Sequence, residues 1–541
     1  MNHQGPAALL PQVVAGHAGE HGERVFVQEV GGGAQTYAET HDRATRWAMA
    51  FRSLGVKAGD RVSRFTPTCV ESVNIWIGLG WLRATDVPVN TEFRGSILAA
   101  TLENAQAELL VCHVRWIPAV LDVADRLSRL KTIITVGGPF EPPPAATLTF
   151  VDGQALVDGV DEIEPLDGPR PHDLAMVVYT SGTVGVAKAA MLTWQMYANG
   201  ADHVSPPDDL LTKDDALYLP YPLFHIAGTF WTHGIARAGA RVVLRETFST
   251  SSFWREIREY GCTVTHFLGA TANFVYRQEP APDDADNPLR IASMVPLLKN
   301  LEDFERRFGL RAYSVYGMTE LGVVSRTELS PRDPAACGRP FPEFELRIVD
   351  ALDREVPVGQ VGELVVRPTV PWTTFTGYFG APEATVRAWR NLWFHTGDGF
   401  RRDADGEYYF VDRVRDSIRR RGENISSTEV EAYVLRYEPV LECAAIPAPS
   451  EWSEDEVKVC VVAKPGQAVD PRGLLDFLVG EQMPRFMLPR FVEVLAEMPK
   501  TPTGKIQKHT LRANTDTRRD WDRDVEMPTL SRPGARRPPS R

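Results

Sequence analysis

The chain has 541 residues, 43% of them hydrophobic and 24% charged, with a formal net charge of -12. That length is too great for one core and points to roughly three to four structural units of an ordinary globular protein. The acidic balance lacks the basic excess that neutralises nucleic-acid phosphates, so a general nucleic-acid binder is excluded.

The N-terminal stretch "MNHQGPAALLPQVVAGHAGEHGE" has no positive start and no sustained apolar run, which argues against a signal peptide. "VNIWIGLGWL" at 73–82 is the most apolar segment. It falls far short of the ~20 residues of a membrane span and reads as a buried helix. Cys69, Cys112, Cys262, Cys337, Cys443 and Cys460 lie far apart. They read as reduced thiols of a cytoplasmic protein.

Strand-like and helix-like runs alternate through most of the chain, so an α/β architecture is expected. "DLAMVVYTSG" is an apolar strand that enters the loop of "YTSGTVGVAKAAML", residues 179–192, and Thr193 is placed to cap the next helix. A P-loop needs G-x-x-x-x-G-K-[ST]. Here Gly182, Gly185 and Lys188 are spaced G-x-x-G-x-x-K and Ala189 follows the lysine, so a Walker-type site is rejected. The physics of phosphate binding still applies. Small residues let backbone N–H groups approach an anion. Thr180, Ser181 and Thr183 add hydroxyl donors, and Lys188 adds a point charge. Taken alone, the segment reads equally well as a solvated loop.

"NLEDFERRFGLRAYSVYG" predicts a helix capped by Asn300, with Leu301, Phe304 and Phe308 on one face and Gly309 ending it. A strand then leads into "YGMTE", residues 316–320, where Glu320 could hold Mg²⁺ beside substrate phosphates. "HTGD" places Asp398 after a glycine turn, able to accept both hydroxyls of a ribose. Asp405-Gly406 predicts a hairpin turn, with Arg413 at its end. Beyond it, Ser426 and Glu429 form a capping-box pattern. Short strands near 441–447 and 456–463 and a helix near 471–482 suggest a small α+β domain. "PKTPTGKIQK" puts Lys505 in a Gly/Thr/Pro loop, and the Arg/Pro/Asp-rich stretch from about 513 reads as a disordered tail. Each of these motifs on its own is compatible with a turn or a surface ion pair.

As an ordered set they resemble the acyl-adenylate-forming superfamily of acyl-CoA synthetases, luciferases and adenylation domains. The segments at 179–189, 222–228 ("PLFHIAG"), 316–320, 396–398, 412–425 ("DRVRDSIRRRGENI") and 499–508 align with the family's motifs in its order. The resemblance covers roughly residues 20–512. It implies a large N-terminal domain, residues 1–414, and a small mobile C-terminal domain, residues 415–512, hinged at Arg415, with 513–541 as the tail. It also implies a reaction in two halves. A carboxylate and MgATP give acyl-AMP and pyrophosphate; a thiol, usually that of coenzyme A, then displaces AMP.

By resemblance, Lys505 bridges the attacking carboxylate and the phosphate. Thr180, Ser181, Gly182, Thr183, Gly185 and Lys188 hold the outer phosphates. Tyr316, Gly317, Met318 and Thr319 lie along the nucleotide, with Thr319 on the α-phosphate and Glu320 on the metal. Asp398 and Arg413 fix the ribose, and His225 borders the acyl pocket. Gly422, Glu423 and Asn424 belong to the loop that faces the thiol channel. A monomer or homodimer acting on a small carboxylic acid is expected.

The chain departs from the family pattern at Val184, Ala187 and Ala189 in the phosphate loop, at Met294 and Val295 where the adenine shelf is expected, and at Asp86. "RRRGENIS", "MVPL" and "DNPLR" resemble the carnitine- and crotonobetaine-CoA ligase branch, whose substrates are short and polar. Phe230, Trp231 and Phe267 could offer aromatic faces to a quaternary ammonium or could be core. A medium-chain fatty acid or an aryl acid fits as well. Two other readings stay open: transfer to a carrier-protein thiol or other acceptor, and a degenerate nucleotide binder without turnover.

Overall fold

The computed structural model describes residues 9–527 except 145–146, 181–187, 209, 414–417, 421–422, 426, 450–454, 482, 486, 502–503, 514–516 and 518–519. Two seven-stranded sheets frame the N-terminal part. The first runs in the order Thr149–Asp152, Thr132–Val136, Leu109–His113, Arg61–Phe65, Thr85–Pro88, Leu174–Thr180, Lys188–Thr193. The second runs Arg311–Tyr313, Ile291–Val295, Val264–Leu268, Ala216–Leu219, Arg241–Leu244, Val25–Glu29, Ala34–Thr36. Both are parallel apart from one antiparallel edge strand, Lys188–Thr193 and Ala34–Thr36 respectively. Parallel strands buried on both faces need covering helices.

The apolar segment at 73–82 lies within the buried helix Val70–Trp81, continuing to its C-cap Leu82. Its Gly78 permits close approach of the helix Tyr37–Ser53: a Cβ there would meet Ala44 O and the Trp47 Cβ at 2.8 Å. The helix Leu301–Phe308 buries Leu301, Phe304 and Phe308 and ends at Gly309, whose φ of 68° suits glycine. Asn300 makes no side-chain capping bond, which corrects that part of the reading. Thr193 does cap the following helix: its hydroxyl accepts from Met196 N at 3.1 Å.

Two smaller sheets follow in the large domain. Val315–Met318, Gly322–Arg326 and Arg339–Pro340 form one. Phe344–Val349, Gly362–Pro368, Phe394–Arg402 and Tyr408–Arg413 form the other, whose last two strands make the expected hairpin. The C-terminal unit has the sheet Val440–Pro449, Asp455–Ala463, Phe491–Leu495, Trp521–Asp522, with helices Ser427–Val434 and Pro471–Gly480. The Ser426 half of the capping box lies outside the described residues.

The tail reading needs correction for 520–527. Trp521–Asp522 pairs antiparallel with Phe491–Val492. The Asp520 carboxylate lies 2.7 Å from the buried Lys458 ammonium, which Glu493 also approaches at 2.7 Å. Arg523, 3% exposed, donates to the Leu488 and Pro489 carbonyls. Composition concealed this because the anchoring residues are charged and polar, with a single Trp. The six cysteines are all free thiols. No helix among the described residues is long and apolar enough to cross a membrane.

Candidate active site

The phosphate-loop candidate joins two strands of an antiparallel hairpin. Thr180 pairs with Lys188, and the Thr180 hydroxyl donates to the Lys188 carbonyl at 3.3 Å. A P-loop instead runs from a strand directly into a helix, so topology as well as spacing excludes it. Ser181, Gly182, Thr183, Val184, Gly185 and Ala187 lie outside the described residues.

Residues 376–379 run along the far side of the strand Lys188–Thr193. Thr376 N donates to Met191 O at 2.9 Å, Met191 N to Gly377 O at 3.0 Å, and Phe379 N to Ala189 O at 2.8 Å. This ladder seats Tyr378 under Lys188, whose ammonium lies 4.7 Å from the ring centre. The Tyr378 hydroxyl donates to Glu320 Oε1 at 2.7 Å, and Phe375 N donates to Glu320 O at 2.9 Å. Burial, then the Glu320 charge, pushes the Tyr378 hydroxyl above its ordinary pKa, so it remains a donor. Lys188, Tyr378 and Glu320 thus form one cation–ring–carboxylate stack. Sequence reasoning missed Tyr378; an aromatic set in "TGYFG", between small residues that let its backbone lie against a neighbouring strand, was the available signal.

Glu320 lies in the turn of a tight hairpin. Met318 pairs with Gly322, and Thr319 sits half-buried in the turn between them. A Cβ on Gly317 would stand 2.1 Å from Gly322 O and 2.8 Å from Val323 Cα, so only glycine lets these strands meet. Tyr316 packs edge-on against Phe400 with centroids 4.7 Å apart. Its hydroxyl donates to Asp398 Oδ2 at 2.6 Å. Asp398 is 7% exposed, and its own N–H donates to Thr396 Oγ1 at 3.0 Å. Asp398 and Arg413 are cross-strand partners on the hairpin. The strand Glu423–Ile425 pairs with Ile418–Arg420. The side chains of Arg413, Glu423 and Asn424, together with Gly422 and Arg415, lie outside the described residues.

His225 is the N-cap of the helix Ile226–Arg237: its Nδ1 accepts from Ala227 N at 3.1 Å. Burial, then the positive charge of Lys505, lowers its pKa to about 4. At neutral pH the ring is therefore uncharged, with Nδ1 engaged and the proton on Nε2. Lys505 sits in a tight turn: its N–H donates to Thr501 Oγ1 at 3.1 Å and Thr501 N donates to its carbonyl at 2.7 Å. Three residues on, Lys508 reaches Glu431 at 2.7 Å and so ties the turn to the helix Ser427–Val434.

Behind His225 stands a second buried imidazole, His266, which the sequence did not single out. Its Nδ1 is 3.1 Å from Ser293 Oγ, and its ring centre is 5.1 Å from Tyr221 and 6.1 Å from Trp231. Burial, then His225, lowers its pKa to about 3. Trp231 and Phe230 are each 1% exposed and Phe267 is fully buried, so these three serve as core. Met294 is likewise fully buried, in the same core cluster as Phe267 and Phe304, which absorbs its bulk.

Both imidazoles fold into a state that binds fewer protons than the unfolded chain, whose histidines titrate near 6.5. Stability is therefore complete above that pH and is lost as pH falls toward 4. Thermal melts between pH 7 and 4 should show Tm falling with acidity, and His266→Gln should flatten that slope. An unchanged slope in the variant would contradict the buried neutral assignment.

Residues 14–379 match the family model described as AMP-binding enzyme, and residues 429–505 match that described as AMP-binding enzyme C-terminal domain. The chain belongs to the AMP-binding enzyme family. In sequence it is similar to the crotonobetaine/carnitine–CoA ligase of Salmonella enteritidis PT4. That relative is 30% identical over 484 residues, covering 88% of this chain and 93% of its own. In structure, the anthranilate CoA ligase AuaEII in complex with anthranoyl-AMP is similar at a TM-score of 0.82 and 22% identity, covering 94% of this chain and 97% of its own. ATP-bound MatB from Rhodopseudomonas palustris is similar at 0.80 and 24% identity, covering 94% and 99%. These two likenesses establish the AMP-binding enzyme fold, a large α/β domain followed by a small C-terminal one.

Proposed function

We propose that the chain is an AMP-forming acid–thiol ligase that activates a small carboxylic acid and passes it to coenzyme A. The observation that supports the reading is that one hairpin, Val315–Arg326, joins the Lys188–Tyr378–Glu320 stack to the Tyr316–Asp398 pair. None of these groups is needed together by a protein that only folds or only docks. The name of the Salmonella relative supports the CoA-ligase reading and suggests a short polar acid.

In the first half-reaction a carboxylate oxygen attacks the α-phosphorus of ATP, and the bond to the pyrophosphate oxygen breaks. Pyrophosphate leaves with that electron pair. No protein nucleophile is required, so positioning and charge stabilisation do the catalysis. Lys505 would hold the carboxylate against the α-phosphate and Thr319 would contact that phosphate. Lys188 and the loop Thr180–Gly185 would bind the outer phosphates, and Asp398 with Arg413 the ribose. Tyr316, Gly317 and Met318 would lie along the nucleotide. In the second half-reaction the thiol sulfur attacks the acyl carbon, AMP leaves, and the thiol proton passes to solvent. Gly422, Glu423 and Asn424 would line the thiol's approach. The domains would divide at 414/415, with Arg415 as hinge.

Glu320 suits a Mg²⁺ site of the kind in which the nucleotide supplies most ligands. Among the described residues no group of three or more His, Cys, Asp or Glu could cage a metal, and one carboxylate beside a phosphate-binding lysine is what such a site needs from the protein. When bound, the ion would neutralise phosphate charge. Tyr378 orients the Glu320 carboxylate, so Tyr378→Phe should raise KM for MgATP roughly fivefold, the worth of one hydrogen bond of ~1 kcal/mol. The acid's KM should hold. Steady-state titration of both substrates checks this, and an unchanged KM for MgATP would remove Tyr378 from the site.

The test of the function is pyrophosphate release from MgATP across carnitine, crotonobetaine, short and medium fatty acids and aryl acids, each with and without coenzyme A. Release with one acid that rises with coenzyme A supports the proposal. Release without thioester formation points to a carrier-protein or other acceptor. ATP binding with no release for any acid favours a degenerate binder.

A further inference from the structure

Asp86 stood out in the sequence as a carboxylate at a position expected to be small and apolar. The structure gives it a partner. Arg64 and Asp86 lie on adjacent parallel strands of the first sheet, with side chains 2% and 0% exposed. Arg64 Nε donates to both carboxylate oxygens at 3.2 and 3.1 Å, and Nη2 donates to Oδ2 at 2.6 Å. An ion pair this deeply buried is weak evidence for stability, because the cost of desolvating two charges offsets most of their attraction. Its other bonds suggest what it does.

Arg64 Nη2 also donates to Leu223 O at 3.3 Å, and Nη1 donates to Thr66 Oγ1 at 3.3 Å. Leu223 N in turn donates to Thr68 Oγ1 at 3.3 Å. Leu223 belongs to the other sheet's connection, the link between strand Ala216–Leu219 and helix Ile226–Arg237. Both of its backbone polar groups are thus gripped by residues 64–68 of the first sheet. His225 follows two residues later, and its ring is locked to the backbone through Ala227 N.

We infer that the Arg64–Asp86 pair is a positioning element: it aims the guanidinium at Leu223 and so sets where His225 stands against the bound acid. Asp86 holds Arg64, Arg64 holds the Leu223 carbonyl, and the link carries the imidazole. The inference rests on reading His225 as bordering the acid site, but the placement of His225 can be measured without turnover.

Asp86→Asn leaves an arginine buried without its counter-charge and can cost the fold, so the informative protein is the double variant Arg64→Met/Asp86→Leu, which removes both charges. It should fold, retain the KM for ATP, and lose roughly ten- to a hundredfold in kcat/KM for the acid, the scale of a displaced positioning group. In a His225→Ala background the same pair of substitutions should add no further loss. Losses that multiply independently would overturn the inference. The second measurement uses ligand-free, full-length protein with ¹⁵N-labelled histidine, the His225 signals being assigned by their absence in His225→Asn. The double variant should shift the His225 resonances and leave those of His17 in place. Unmoved His225 resonances in a folded double variant overturn the inference. If the parent chain releases no pyrophosphate with any acid, the proposed function fails on that result, and the resonance measurement still decides the positioning claim.

Discussion

Lys505→Ala should lower acyl-AMP formation by roughly two to three orders of magnitude, the scale seen when one charge-stabilising donor is removed from a transition state. ATP affinity should change little, because in the proposed function the nucleotide's phosphates and ribose would be held by residues of the large domain. The lysine sits in its own turn, braced by Thr501 and anchored through Lys508 to Glu431, so its truncation removes a charge without loosening the loop. Pyrophosphate exchange with the preferred acid, alongside ATP binding by calorimetry, measures both quantities. Undiminished exchange would remove the main catalytic assignment. A matching fall in ATP affinity would recast Lys505 as a nucleotide ligand.

Gly317→Ala is expected to be a severely damaging single-methyl change. The added carbon would lie 2.1 Å from the Gly322 carbonyl and 2.8 Å from Val323 Cα. Both are backbone atoms of the paired strand, so no side chain can move aside. The hairpin would have to open, displacing Tyr316 from Asp398 on one side and Glu320 from Tyr378 on the other. Backbone clashes of this kind cost on the order of 3 kcal/mol or more. A drop in Tm accompanied by loss of ATP binding is the expected pair of results, by melting and calorimetry. Wild-type ATP affinity in the folded variant would show that the hairpin does not carry the nucleotide site.

The candidate site was legible in the sequence as an ordered set of motifs that resembles the acyl-adenylate-forming superfamily, each motif alone being compatible with a turn or a surface ion pair. Lys188, Tyr316, Glu320 and Asp398 each sit in a short segment whose small residues and flanking strand announce a turn at a sheet edge. The helix Leu301–Phe308 was equally plain, since its apolar face and terminal glycine lie within ten residues. The unread residues act across long separations. Tyr378 reaches Glu320 from 58 positions away, and Arg64 reaches Leu223 from 159. Nothing local marks an arginine as buried or a tyrosine as the prop of a distant carboxylate. Asp86 illustrates the same gap: it looked anomalous until the adjacent strand brought its arginine beside it. The segment 520–527 was misread for the opposite reason, because a charged sequence looks solvated unless its partners, here Lys458 and the Leu488 and Pro489 carbonyls, are known.

The hairpin that carries the candidate phosphate loop has a consequence for how this protein can change over time. Tyr179 faces Ala189 and Thr180 faces Lys188 across a continuous ladder, and the Ala189 carbonyl is held from its other side by Phe379 N. The two ends of the loop are therefore fastened by backbone bonds that take no account of what lies between them. Doubling the length of such a loop costs only ~0.6 kcal/mol. The frame therefore sets few demands on the sequence it encloses, so drift at Val184 and Ala187, or replacement of 181–187 by a relative's stretch, should leave the paired strands and Lys188 where they are.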